Sequence, residues 1–122
     1  NAFKNLSPVD NAQNILARNG HNQYYAITSR PKSIIDITAG QIMSNFPYIF
    51  EEIITGVTEK GEYGKRLGLD LLIDDAMHNI QDCSKNMLPS LLFNQPWNQS
   101  ELPMYSERVN NWKEIEKYLR VL

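Results

Sequence analysis

The chain has 122 residues and a mass of 14.1 kDa, the length of one ordinary domain. Hydrophobic residues make up 42% and charged residues 21%, which excludes a disordered or collagen-like chain. A net charge of −2 and a pI near 5.6 argue against the cationic surface that general nucleic-acid binding needs. Cys83 is the single cysteine, so an internal disulfide and a multi-thiolate zinc site are excluded. No apolar run approaches the ~18 residues of a membrane span.

In chain order, Asn1-Ala2 reads as the remnant of a cleaved tag, with native sequence starting at Phe3. Residues 1–122 read as a single domain, which can be a piece of a longer protein. Ser7-Pro8-Val9-Asp10 predicts a helix start, and Asn19-Gly20 its left-handed stop. Gln23 to Thr28 and Ser33 to Ile37 are rich in aromatic and β-branched residues and predict two strands. The short polar Ser29-Arg30-Pro31-Lys32 between them predicts an antiparallel hairpin.

Thr38-Ala39-Gly40-Gln41 has capping-box spacing, so a helix carrying Ile42, Phe46, Ile49, Phe50 and Ile53 should follow. Thr55 to Gly64 holds three glycines and reads as an exposed loop. From Lys65 to Gln81, residues Leu69, Leu72, Ile73, Ala76, Met77 and Ile80 recur with helical spacing and predict a long helix. Its opposite face, Asp70, Asp74 and His78, should be exposed. The proline-rich stretch from Asp82 to Pro103 reads as irregular, anchored by Leu88, Leu91, Leu92 and Phe93. Ser106 should cap a last helix with Val109, Trp112, Ile115, Leu119 and Leu122 inward. The expected class is α+β: about four helices packed on one antiparallel β-hairpin, with the hairpin possible as part of a larger sheet.

His21 begins the first predicted strand and Asp36 ends the second. Thiol-based acyl transfer needs an imidazole to take the thiol proton and a carboxylate to orient the imidazole. A two-residue hairpin loop would bring the two to roughly 7 Å on one face. A four-residue loop would leave them roughly 13 Å apart. This pattern, a strand opening with His and a second ending Ile35-Asp36-Ile37-Thr38-Ala39-Gly40-Gln41, resembles the papain-like cysteine hydrolases found in bacterial toxins and effectors. The group includes the deamidases and proteases of the dermonecrotic-toxin type. The resemblance covers Gly20 to Gln41. It implies His21 as general base, Asp36 as its orienting partner, and a protein substrate. Location stays open between the bacterial cytoplasm and delivery into a target cell. The nucleophilic cysteine of that group lies upstream at a helix start. The corresponding Ser7 to Asp10 has none, so the chain would be inactive alone.

Cys83 follows a helix end, where the dipole disfavours a thiolate, and reads as a structural thiol. Asp74 and His78 share a predicted helix face, but no third metal ligand accompanies them. Gly61, Gly64 and Lys65 lack the strand and the hydroxyl residue of a phosphate loop. No cofactor or metal is therefore expected, and the expected partner is a protein. The second reading is a small acidic immunity protein, with Glu51-Glu52 and Asp70-Asp74-Asp75 steering a basic toxin.

Overall fold

The computed structural model describes residues 12, 14–28 and 50–122. The chain divides into two units, residues 1–58 with 116–122 and residues 59–115.

In the first unit, a helical segment at 14–18 precedes β1 (Tyr24–Ile27), which pairs with β2 (Phe50–Ile54). The pairing is parallel, from Tyr24 beside Phe50 to Ile27 beside Ile54. It continues past the strands, with Thr28 N donating to Ile54 O and Val57 N to Thr28 O. Parallel neighbours cannot be joined by a tight turn. The antiparallel hairpin is thus corrected. The described partner of the first predicted strand is parallel and comes from residues expected to end a helix. Aromatic and β-branched residues Phe50, Ile53 and Ile54 favour the extended form. The second predicted strand, Ser33 to Ile37, lies outside the described residues, as do the helix starts at Ser7 and Thr38.

Ionic contacts hold this unit's helical parts together. Arg18 grips Glu116 through two bonds, Nε to Oε2 at 2.8 Å and Nη2 to Oε1 at 2.9 Å. Buried Asn19 donates from Nδ2 both to Ile15 O and to Glu116 Oε2. Glu116 is only 5% exposed, and the Arg18 and Asn19 donors pull its carboxyl down to about 2.

The second unit holds a three-stranded sheet in the order β3-β4-β5, all parallel. The strands are β3 (Leu72–Asp74), β4 (Ser90–Phe93) and β5 (Ser106–Val109). Around them lie α1 (Lys60–Leu67), α2 (Met77–Lys85) and α3 (Trp112–Leu119), and the division between the units falls within α3. Leu72, Ile80, Cys83, Leu88, Leu91, Leu92, Val109 and Ile115 are buried. The class is therefore α/β with parallel sheets, not α+β.

The long helix predicted from Lys65 to Gln81 is three elements. Gly68 takes a left-handed φ of 84° and ends α1, its N–H bonding to Gly64 O and Lys65 O. Leu72 and Ile73 then belong to β3, while Met77 and Ile80 belong to α2. A strand end followed by a helix start happens to reproduce the helical spacing. A short apolar run cannot be told from a buried helix by periodicity alone. Ser106 likewise opens a strand, its Oγ donating to Pro103 O at 2.6 Å. The last helix is capped instead by Asn111, whose Oδ1 accepts from Glu114 N, while Glu114 Oε1 accepts from Asn110 N.

Of the stretch predicted as a loop, residues 55–59 lie outside helix and strand, but residues 60–64 open α1. Gly61 is there for packing: a Cβ on it would lie 2.4 Å from both Asp82 C and Cys83 N in α2. The two helices touch backbone to backbone. Asp82 Oδ2 also accepts from Glu62 N in the first turn of α1, which has no side-chain cap of its own.

Two expectations follow from these contacts. Gly61→Ala should destabilise by about 1–3 kcal/mol in urea unfolding, because backbone cannot yield as a side-chain end would. Alanine's helix preference, about 1 kcal/mol, works the other way, so a neutral result would refute the close contact. For Glu116 the folded pKa lies below the unfolded 4.5. Its contribution is complete above pH 4.5 and disappears as pH falls through about 2. Glu116→Gln should be less stable at neutral pH and should lose less stability than wild type across that window, read by chemical unfolding at fixed pH values.

Candidate functional site

The second unit gathers charge at the carboxyl end of its parallel strands. This is where open α/β sheets bind ligands, because the strand ends leave a crevice and the following helices present their N-termini. β3 ends in Asp74, and Asp75 and Ala76 lead directly into α2.

Asp74 is the most heavily bonded side chain of this edge. Its Oδ2 lies 2.9 Å from Lys60 Nζ and 3.1 Å from Asn79 Nδ2. Its Oδ1 accepts from the backbone N–H groups of Asp75 (2.8 Å) and Ala76 (2.9 Å). The Lys60 and Asp74 side chains are only 13% and 9% exposed. Two side-chain donors, one ammonium and one amide, and two backbone N–H groups of the turn leading into α2 thus converge on one carboxylate. Lys60 comes from the first turn of α1, which Gly61 lets approach α2 closely.

Asp75 is placed differently. It is half-buried, and burial first, then the negative charge of Asp74, raises its carboxyl above the usual range. Asp75 anchors its surroundings through its backbone: its carbonyl accepts from Asn98 Nδ2 (2.8 Å) and Trp97 Nε1 (3.1 Å). The site therefore holds one fully paired carboxylate, one ammonium, and a second carboxylate that the Lys60 charge offsets only in part. That is an arrangement for receiving an anion beside Lys60 and a cation beside Asp75. Magnesium commonly takes one or two carboxylates together with a substrate phosphate, so Asp75 fits as its protein ligand. Among the described residues, no cluster of three or more His, Cys, Asp or Glu side chains assembles.

Of the residues singled out from the sequence, Asp74 and Asp75 belong to this edge, and His21 belongs to the first unit. His21 is exposed, and its Nε2 donates to Leu119 O at 3.2 Å. Asn22 Nδ2 donates to the same oxygen at 2.8 Å, so both cap the end of α3. Asp36 lies outside the described residues. Cys83 is fully buried, and burial, then the charges of Asp74 and Asp82, push its thiol up to about 12. The face expected to be solvated is split: Asp70 and His78 are exposed, whereas Asp74 is the paired centre of the site. Lys60 was missed because its stretch looked like a loop. The available signal was the apolar Leu71-Leu72-Ile73 run ending in Asp74-Asp75, the pattern of a buried strand delivering two carboxylates to its carboxyl end.

Comparison with known proteins points to a family other than the papain-like hydrolases. The family model described as "5' nucleotidase, deoxy (Pyrimidine), cytosolic type C protein" matches residues 1–122. The chain is 32% identical over 106 residues to the Bacillus subtilis protein named "Putative nucleotidase YqfW". That match covers 85% of this chain and 54% of the relative. The chain thus spans about half the length of the curated relative it matches. No solved structure shows a significant match. These findings overturn the papain-like toxin reading and the immunity-protein alternative. The likeness over Gly20 to Gln41 presumed an antiparallel hairpin, whereas β1 pairs in parallel with β2. Full-length agreement with one family model, and the parallel α/β architecture beneath it, lead to one conclusion: the chain belongs to the 5' nucleotidase, deoxy (pyrimidine), cytosolic type C family.

Proposed function

We propose that this protein hydrolyses the phosphate monoester of nucleoside 5'-monophosphates, with the substrate phosphate beside Lys60 and Asp75. The observation that carries the reading is Lys60 Nζ fixed 2.9 Å from buried Asp74 at the carboxyl end of a parallel strand, in a chain of a nucleotidase family. Asp74 holds the ammonium in place, and the ammonium offsets the charge that builds on phosphoryl oxygens. A fixed charge costs no reorganisation when the reaction occurs. Asp75 would hold a divalent cation, which when bound supplies further charge neutralisation at the phosphate. Asn79 and the α2 N-terminus keep the Asp74 carboxylate from turning toward the substrate and repelling it.

The test uses the natural-length protein that carries this chain. Phosphate release from thymidine 5'-monophosphate should fall by about 10²–10³-fold in kcat for Lys60→Met. The same variant should lose about 2 kcal/mol of stability, since Asp74 keeps three donors but loses its charged one. Asp75→Asn should separate the two properties. Its raised carboxyl means that ionisation costs the folded state more than the unfolded, a penalty that grows as pH rises through the folded value. Asn removes that penalty, so the variant should unfold at higher denaturant near neutral pH yet hydrolyse the nucleotide poorly. Normal turnover by either variant would refute the site.

A further inference from the structure

We infer that Trp97 is the base-stacking residue of this site, recognising the nucleobase of a nucleotide whose phosphate lies by Lys60 and Asp75. The inference rests on the nucleotidase reading above and adds what recognises the nucleoside portion.

Trp97 sits on the 94–105 connection between β4 and β5, on the same carboxyl edge as Asp75. That connection is held by its own polar contacts. Asn98 is 1% exposed; its Oδ1 accepts from Gln95 N, and its Nδ2 donates to Phe93 O and Asp75 O. Arg108 Nη2 donates to Asn98 O (2.8 Å) and Ser100 O (2.9 Å), tying the connection to β5. The indole is held as well, through Nε1 to Asp75 O at 3.1 Å. Yet the Trp97 residue is 65% exposed, although tryptophan is on average a well-buried residue. Among the described residues, no second ring packs on it. Its polar edge is thus satisfied by the Asp75 backbone, while its apolar surface is left to solvent next to the turn that carries Asp75.

A rigid aromatic surface whose ordering cost is already met by the fold is suited to stack a planar base. Stacking accepts any base, because each has a π-face. The loop position explains how the ring stays out of the core: Pro96 and the Gln95–Asn98 turn set the chain outward just before and after it. The alternative role for Trp97 is to pin the Asp75 backbone through its N–H alone.

Kinetics of the natural-length protein distinguish the roles, using thymidine 5'-monophosphate and deoxyribose 5-phosphate, the same sugar phosphate without its base. Trp97→Ala should raise KM for the nucleotide about 5- to 100-fold and leave deoxyribose 5-phosphate turnover within about twofold, which also shows that the variant folds. Trp97→Phe, which keeps a ring and loses the N–H, should restore most of the nucleotide affinity. Equal loss on both substrates, no loss on the nucleotide, or a phenylalanine variant as poor as alanine would overturn the inference. If the wild type cleaves neither substrate, the nucleotidase reading fails by itself. Ligand-observed NMR with thymidine then decides the stacking role: binding that Trp97→Ala abolishes supports it, and no binding overturns it.

Discussion

One buried carboxylate organises the second unit. A carboxylate taken out of water is costly to the fold unless it is paired and hydrogen-bonded. Asp74 meets that requirement by drawing on three sources. Lys60 comes from α1, Asn79 from α2, and the N–H groups of Asp75 and Ala76 from the turn between β3 and α2. Each donor belongs to a different piece of backbone, so satisfying one side chain fixes the meeting of a strand end and two helices. The close approach of α1 to α2 at Gly61 has the same consequence, because it brings the first turn of α1, and with it Lys60, to the strand end.

The neighbouring Asp75 is the other half of that arrangement. Asp75 is half-buried beside the like charge of Asp74, which Lys60 and a backbone hydrogen bond offset only in part, and its carboxyl rises. A structure built for stability alone would not retain such a group. Perturbed carboxyls gather at functional sites because a group poorly compensated in the empty protein gains most when substrate or cation arrives. The backbone around it is held firmly by contrast, with buried Asn98 donating to the Asp75 carbonyl. A rigid frame around an under-compensated charge is what positions a ligand without paying for rearrangement.

The first unit relies on a similar device for a different end. Glu116, nearly buried, is held by the fork of Arg18 and by Asn19, with Arg120 as a more distant cation at 3.5 Å. His21 and Asn22 satisfy the Leu119 carbonyl at the end of α3. The histidine that opened the first predicted strand as a candidate base therefore serves, in the described structure, as a donor to a helix terminus.

The sequence alone determined much of the apolar core, though Leu122, also expected inward, is 47% exposed. Leu88, Leu91, Leu92, Val109, Ile115 and Leu119 were legible as anchors and are buried, because burial depends on the apolar character of the side chain. The single cysteine and near-neutral charge were likewise compositional. Tertiary structure decided what those anchors belong to. Leu72, Ile73, Met77 and Ile80 satisfy a helical period, yet the first two are strand and the last two helix, since a strand of three residues is too short to show its own alternation. Gly61 and Gly64 read locally as loop residues, and only the contacts with α2 and Leu88 show why a helix needs them. Lys60 and Asp74 stand fourteen positions apart and become a site only when β3 and α1 place them 2.9 Å from each other. Parallel pairing joins residues distant in sequence, and local pattern does not encode a partner that the chain reaches only by a long crossover.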